Sequence, residues 1–437
     1  MAKRTYKVVE RNGRKFNMLA LPETNFFKFE IVNMYGSHIE RLYQERYGKN
    51  VFGISHFIEH LGFRCPKDYT TPELLAHLKN DGTYNASTDY DRINYFFQTT
   101  MDRIDLGIRL VANYTLNTLE NINEDEFIIE RKVVHNEAKR YADDPQTMFW
   151  FNSTSALTGY SAQDNVIGIP DTIDTFTLED CVLIKDMFLS NAKNVYNITY
   201  DSTILTENEV IDKIEAELAR HTPCGKAEVV TQADYDAVVV APKTINVEVP
   251  KSESDTEQIM TYLNFDIVTN ENIETANCAN AYLSRYAEGT SLDDVIREQN
   301  GLTYGISLGA SNMSYKPYTY FGCDVTRGDE KLLIELFKES INKSADNWDD
   351  EAHAKYIEAK RLKRVMNLLD QKNYGGWHGV ATWYTSVIDT LKDTMNTDLD
   401  AAYELSDSIY ATKEKMGEYI EAFRAKVNAE DFGKVTN

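Results

Sequence analysis

The stretch FGISHFIEHLGF, residues 52–63, decides how the rest of the chain is interpreted. Its apolar residues repeat at i, i+3, i+4 and i+7, which is the spacing of one face of an α-helix: Ile54, Phe57, Ile58 and Leu61. An apolar face of this kind packs against a core. The stretch therefore predicts a short, buried helix.

The same helix carries His56, Glu59 and His60 in the order H-x-x-E-H. Residues four apart lie above one another on a helix, so both imidazoles point at one place about one turn, roughly 5.4 Å, apart. Two imidazoles so placed are typical zinc ligands. Glu59 lies beside such a site, where a carboxylate can accept a proton from a reacting water. This order is the inverzincin pattern.

The motif alone leaves two interpretations open. The first is a zinc site, and the second is a chance grouping of two histidines and a glutamate on one helix. Such a grouping is uncommon in a chain with only 8 histidines among 437 residues. A catalytic zinc site takes three protein ligands, so the first interpretation requires one more ligand elsewhere in the sequence.

The helical stretch EFIIERKVVHNEAKR, residues 126–140, supplies two candidates, Glu130 and Glu137. Val133 and Val134 lie between them, which places both carboxylates in or beside the apolar stripe. A carboxylate that faces a core is costly unless it is paired or binds a metal. The residues favour either a cation site or a pair of ion-paired residues at the helix edge.

The H-x-x-E-H motif followed by E-x-x-V-V-x-x-E resembles the pitrilysin-type zinc metallopeptidases, a family that contains insulin-degrading enzyme and the mitochondrial processing peptidases. The resemblance implies that His56, His60 and Glu137 bind one Zn²⁺ per chain. It implies that Glu59 is the general base and that Glu130 supports the site from outside the ligand set. One departure follows His60, where LGFRCPKDY stands in place of the family's M-x-F-K-G-T.

Two further stretches resemble substrate-binding elements of the family. GTYNASTDYD, residues 82–91, looks like the edge strand that pairs with the substrate backbone, which implies substrate contacts for Asn85 and Ala86. REQNGLTY begins at Arg297 and ends at Tyr304 and resembles R-E-x-x-G-L-x-Y, which holds the substrate and polarises its carbonyl. Without the family spacing, Asn85 in a turn-flanked strand is typical of a structural residue, and Tyr304 at a strand start is typical of a core residue.

The two halves of the chain resemble each other from Tyr84 and from Tyr304 onward, each with a strand pair followed by an amphipathic helix. A repeat of this length indicates a duplicated domain. We predict an α+β fold of two homologous α/β-sandwich domains, each a mixed or antiparallel sheet with helices packed on it. The predicted domains are a catalytic domain at 1–215, a linker at 216–245 and a metal-free domain at 246–437. The resemblance implies that together they form half of a clamshell.

Composition excludes several classes of function. Hydrophobic content of 42% and charged content of 26% are typical of a globular protein. A net charge of −23 argues against nucleic acid as a partner. The sequence has no apolar run of about 18 residues and no targeting signal, so we expect no membrane association. Five scattered cysteines without a C-x-x-C pair favour free thiols and a cytoplasmic location.

The sequence therefore predicts a zinc metalloendopeptidase that hydrolyses unstructured peptides or presequence-like segments. The alternative is a catalytically silent or partner-dependent subunit that acts as a peptide-binding scaffold. A structural zinc site without hydrolase activity is the third possibility, and Glu59 argues against it because structural sites favour four closed ligands. Family members of this length pair with a second chain, so the resemblance implies a homodimer or a heterodimer with a related chain.

Overall fold

The computed structural model describes residues 5–158, 165–190, 194–222, 225, 231–238, 246–248, 258–311, 317–370 and 397–436. The chain divides into two compact units, each described here by itself. The first unit comprises Met1–Arg140, Gln163–Val238 and Gly375–Ala402. The second comprises Tyr141–Ala162, Val239–Tyr374 and Tyr403–Asn437.

The described strands are, in chain order, β1 (Thr5–Arg11), β2 (Arg14–Ala20), β3 (Phe26–Asn33), β4 (Thr83–Thr88), β5 (Ile93–Thr100), β6 (Asn194–Tyr200), β7 (Asn246–Glu248), β8 (Gln258–Phe265), β9 (Ile306–Ser311), β10 (Tyr318–Thr326), β11 (Thr397–Asp398) and β12 (Gly433–Thr436).

The described helices are α1 (Ile39–Tyr47), α2 (Ile54–Leu61), α3 (Thr71–Asn80), α4 (Ile104–Thr115), α5 (Glu124–Ala142), α6 (Pro145–Thr158), α7 (Pro170–Ile173), α8 (Leu178–Ser190), α9 (Glu207–Leu218), α10 (Gln232–Ala237), α11 (Ile273–Ala281), α12 (Glu330–Asp346), α13 (Asp350–Asp370), α14 (Leu399–Tyr410) and α15 (Lys413–Asn428). Met101–Arg103 is a 3₁₀ turn, and Tyr282–Tyr286 and Asp293–Gln299 are π-helical. No helix in the described ranges is long and apolar enough to cross a bilayer.

Each unit contains one mixed sheet with helices packed on it, which confirms the predicted fold class. The first sheet has the order β11-β1-β2-β6-β3-β5-β4, in which β2 and β6 are parallel and the other neighbours antiparallel. The second has the order β7-β12-β8-β10-β9, in which β7 and β12 are parallel. β4 is the last strand of the first sheet. Among the described residues, the stretch that was expected to form an edge strand therefore does so.

The predicted helix at residues 52–63 is α2, and its four predicted core residues are fully buried: Ile54, Phe57, Ile58 and Leu61. The Phe57 ring packs 5.4 Å from that of Phe127 and 5.9 Å from that of Phe176, measured between ring centroids. Aromatic burial of this kind contributes on the order of 2 kcal/mol or more per ring. The packing therefore fixes α2 against α5 and the segment after α7.

The start of α2 is held by a buried carboxylate and a close glycine pair. Glu40 accepts hydrogen bonds of 2.8 Å from the backbone N–H groups of Gly53 and Ser55, two of the donors that a helix N-terminus leaves unpaired. Gly53 has φ 94°, and a Cβ there would lie 2.5 Å from Cα of Gly168. Only glycine fits this crossing, so the backbone fixes the direction in which α2 leaves it.

A capping box holds the N-terminus of α3: the Thr70 side chain accepts a hydrogen bond from the backbone N–H of Glu73, and the Glu73 side chain binds back to Thr70. One local expectation needs correction. On α5, Val133 is 45% exposed while Val134 is fully buried. The buried line on α5 therefore runs through Glu130 and Val134.

Candidate metal centre

Three side chains of the first unit converge on one point. His56 and His60 lie one turn apart on α2, with their ring centroids 4.8 Å apart. The side chain of Glu137 approaches both rings from α5. Oε2 of Glu137 lies 3.9 Å from Nε2 of His56 and 3.5 Å from Nε2 of His60. One ligand atom from each residue lies within 4.8 Å of the others.

These three residues fit a zinc ion. Two ligand atoms that each lie about 2.1 Å from a tetrahedral zinc are about 3.4 Å apart, close to the distances from Glu137. Among the residues that the structure describes, Nδ1 of His56 is buried without a hydrogen-bond partner, and its Nε2 is beyond hydrogen-bonding distance of Glu137. A buried imidazole with no hydrogen bond is costly, and a metal ligand role removes part of that cost. Two imidazoles and one carboxylate leave a fourth zinc position open.

Glu130 lies on the other side of His60. Its Oε1 is 2.8 Å from Nδ1 of His60, and its Oε2 accepts a 2.7 Å hydrogen bond from Nε of Arg64. Arg64 also binds Glu126 at 2.9 Å. Burial alone would raise the pKa of Glu130, but His60 and Arg64 hold it below its usual value. An ionised Glu130 favours a proton on Nδ1 of His60, which leaves the lone pair of the opposite nitrogen, Nε2, as the one that can bind a metal beside Glu137.

Glu59 lies on α2 but outside the group of three donors. Its side chain is buried, and the hydroxyl of Thr88 donates a 2.6 Å hydrogen bond to its Oε2. Burial raises the pKa of Glu59 to about 7, against the opposing effect of Thr88. A carboxyl with a pKa near neutrality accepts and returns protons efficiently near neutral pH.

Lys185 is a further charged residue that acts on Glu59, and sequence reasoning missed it. It is buried on α8, donates a 2.8 Å hydrogen bond to the carbonyl of Thr115 and lies 5.5 Å from the ring centroid of Tyr95. Burial lowers its pKa to about 7, and its positive charge lowers the pKa of Glu59. The available signal was the charged pair Lys185-Asp186 inside the otherwise apolar run CVLIKDMF.

Sequence reasoning also missed Arg64 and Thr88. Arg64 lies in the turn after α2, four residues after His60 and at the departure from the family pattern. A basic residue so close to the motif was the available signal. Thr88 ends β4 and reaches Glu59 across the first unit. A contact between residues so far apart in sequence leaves no local pattern.

The substrate-binding candidates fall into two places. Asn85 and Ala86 lie on edge strand β4, with Asn85 exposed and Ala86 partly exposed. Arg297 and Tyr304 both lie in the second unit, where the guanidinium carbon of Arg297 is 5.6 Å from the ring centroid of Tyr304. Tyr304 is 93% exposed, so its alternative interpretation as a core residue is wrong.

The mixed α/β units and the His-His-Glu group define a zinc protease-like fold. The profile described as insulinase (peptidase family M16) matches residues 46–164, and the one described as peptidase M16 inactive domain matches residues 205–360. The chain belongs to peptidase family M16, which confirms the resemblance stated from the motifs.

Two of the relatives that the chain resembles are named as zinc proteases. The zinc protease PqqE of Helicobacter pylori is 32% identical over 177 residues, which cover 40% of this chain and 38% of that protein. An uncharacterized zinc protease of Rickettsia felis is 22% identical over 375 residues, covering 83% of this chain and 82% of its own. Together with the family match, these names imply a peptidase of the zinc-dependent kind.

Solved structures share the fold along the whole chain. A protease from Helicobacter pylori superposes with a TM-score of 0.74 at 16% identity and covers 99% of both chains. A peptidase M16 inactive domain from Pseudomonas fluorescens superposes with a TM-score of 0.71 at 13% identity, covering 99% of this chain and 97% of that chain. At such identities the likeness shows the fold.

Proposed function

We propose that this protein is a zinc metalloendopeptidase that hydrolyses unstructured peptides, with one zinc ion held by His56, His60 and Glu137. The observation that carries the proposal is the convergence of three donor atoms within 4.8 Å beside the buried carboxyl of Glu59. An ion bound there supplies a Lewis acid that polarises the scissile carbonyl and makes a water acidic.

Glu59 is the proton carrier in this proposal. The Thr88 hydroxyl engages Oε2 of Glu59, so Oε1 is the oxygen that accepts a proton from the attacking water. The same carboxyl then returns the proton to the leaving amine, which balances the hydrolysis. Burial supports both steps because it raises the pKa of Glu59 to about 7.

The proposed binding surface for the peptide backbone is strand β4. As the last strand of its sheet, β4 has one side without a neighbouring strand among the described residues. An extended peptide can add there as a further strand through backbone hydrogen bonds, with Asn85 and Ala86 in contact with it. Strand addition requires an extended chain, which supports unstructured peptides as the substrate class.

Arg297 and Tyr304 are proposed to hold the substrate and polarise its carbonyl, as the family resemblance implies. The exposure of the Tyr304 side chain supports this role because its hydroxyl is open to a ligand. Arg297 lies near two carboxylates, at 3.9 Å from Asp293 and 3.3 Å from Glu298. Both pairs are substantially exposed, so Arg297 can exchange them for a substrate group at little cost.

We further propose that the chain acts in the cytoplasm as a homodimer or as a heterodimer with a related chain. The four described cysteines are free thiols, which supports a reducing compartment: Cys65, Cys181, Cys278 and Cys323. Cys224 lies outside the described residues. Light scattering of the purified chain tests the dimer, and cell fractionation tests the compartment.

Metal removal tests the proposed function. The untreated protein is expected to contain about one zinc per chain and to cut a mixed library of unstructured peptides, with products read by mass spectrometry. Dialysis against a chelator is expected to abolish cutting, and added zinc to restore it. Cutting that survives complete removal of the metal would contradict the proposal.

A further inference from the structure

The second unit contains a cavity of about 680 Å³ that lies outside the metal centre. Its walls come from α6, β8, β10 and the loop 301–305 that follows Arg297. This volume is in the range of pockets that bind small ligands or side chains. Tyr304 lines the same cavity.

Two aromatic rings form part of the cavity wall. Trp150 of α6 lies edge-on to Tyr262 of β8, with ring centroids 5.0 Å apart, and Trp150 is 39% exposed. Gly322 of β10 keeps the space beside them open, because a Cβ there would lie 3.8 Å from both rings. Tyr262 is buried and supports Trp150 from behind, so the Trp150 ring is the aromatic surface that this pair offers to a ligand in the cavity.

Asp324 is the one residue with a charged side chain among the described residues that line the cavity. Asp324 is exposed to solvent on β10, and within the described ranges its carboxylate has neither a hydrogen bond nor an ion pair. Partial burial by its neighbours raises its pKa. A partly desolvated carboxylate without a counter-ion is stabilised by a cation. The nearby aromatic rings favour a cation with an apolar stem.

We propose that this cavity binds the side chain of a lysine or arginine of a peptide, with Asp324 pairing the cationic head and the exposed ring of Trp150 packing on the aliphatic stem. Basic side chains bury their stems on apolar surface in this way. The net charge of −23 favours the approach of basic peptides. The inference rests on the proposed function only in taking a peptide as the occupant.

The test measures binding without cleavage. The full chain with Glu59→Gln is titrated with a short unstructured peptide containing one lysine, and with the same peptide containing norleucine, which keeps the stem and lacks the charge. The lysine peptide is expected to bind about five- to tenfold more tightly. Equal affinity for the two peptides would overturn the inference, and this comparison alters nothing in the second unit.

A matched pair of variants locates the effect. Asp324→Asn, added to Glu59→Gln, is expected to abolish the lysine preference, whereas Asp266→Asn is expected to retain it. Both variants remove one negative charge from the second unit. Asp266 follows β8 and does not line the cavity, so Asp266→Asn serves as the control for the change in charge. A lysine preference that survives Asp324→Asn would overturn the inference. An unchanged unfolding temperature confirms that each variant folds.

The binding test and the test of the proposed function have separate outcomes. A lysine preference in a protein that never cleaves peptides supports the cavity and contradicts the peptidase. Zinc-dependent cleavage without a lysine preference supports the peptidase and overturns the cavity assignment.

Discussion

Glu130 lies 2.8 Å from Nδ1 of His60, while Glu137 lies 3.5 Å from Nε2 of the same ring. Both carboxylates come from α5, yet they contact different nitrogens of one imidazole. Glu130 also binds Arg64, whereas Glu137 faces both histidines. In the proposed mechanism Glu137 binds the metal and Glu130 orients His60, so we expect the two carboxylates to have different effects on zinc affinity.

Glu137→Gln is expected to reduce zinc content well below one per chain, because it removes the anionic ligand. Glu130→Gln is expected to retain zinc with an affinity weakened about 10- to 100-fold, because it removes a partner that orients a ligand. Competition with a chromophoric chelator measures the zinc affinity of both variants. Glu124→Gln, an exposed change on the same helix, is the control. Zinc binding of Glu137→Gln equal to that of the unchanged protein would contradict the assignment.

Thr88→Val is expected to shift the acidic limb of the pH profile of kcat/KM upward. The Thr88 hydroxyl stabilises the ionised form of Glu59, so its removal raises the pKa of Glu59. A raised pKa leaves less ionised base at acidic pH and changes little at alkaline pH. Thr88→Ser, which keeps a hydroxyl, is expected to retain the original profile. An unshifted limb for Thr88→Val would show that this hydrogen bond does not act on the base.

Lys185→Met is expected to change how stability depends on pH. Burial lowers the pKa of Lys185 from 10.5 to about 7, so between these values the unfolded chain binds more protons than the folded one. The stability contribution of Lys185 therefore increases as pH rises through this window, on the order of a few kcal/mol.

Urea denaturation of the metal-free proteins at pH 7 and 9.5 measures this effect. The stability of the unchanged protein is expected to rise relative to that of Lys185→Met as pH increases. Lys79→Met removes an exposed lysine and is expected to show no such difference. Parallel pH dependence of Lys185→Met and the unchanged protein would argue against a buried lysine beside Glu59.

Tyr304→Phe is expected to lower kcat/KM roughly 100-fold if its hydroxyl stabilises the developing oxyanion. The side chain is almost fully exposed, so the free energy of unfolding is expected to change by less than about 0.5 kcal/mol. Zinc content is expected to remain unchanged. Tyr47→Phe, a change at another exposed tyrosine, is the control. Equal kcat/KM for Tyr304→Phe and the control would remove Tyr304 from the proposed mechanism.

Sequence periodicity predicted the parts of the fold that depend on local spacing. The helix α2 and its buried face followed from four apolar residues at helical positions, and each of them is buried. The strand pair expected from Tyr84 onward is formed by β4 and β5. In α5 the pattern left one ambiguity, because Val133 and Val134 are adjacent and only packing decides which one is buried.

Contacts between distant segments could not be predicted from the sequence. Thr88 reaches Glu59, and Lys185 reaches the carbonyl of Thr115, because the sheet brings separate segments together. Neither residue belongs to a motif. The glycine crossing at Gly53 and Gly168 likewise depends on the approach of two backbones. The motif therefore predicted the donors of the candidate site, and the fold supplied the groups that tune them.

The most direct test of the central claim combines zinc content with peptide cleavage for the unchanged protein and for Glu59→Gln. The account predicts about one zinc per chain in both proteins, with cleavage in the unchanged protein and a loss of about 100- to 10,000-fold in the variant. Stoichiometric zinc without cleavage by the unchanged protein, even at high concentration, would contradict the account and favour a silent, partner-dependent subunit.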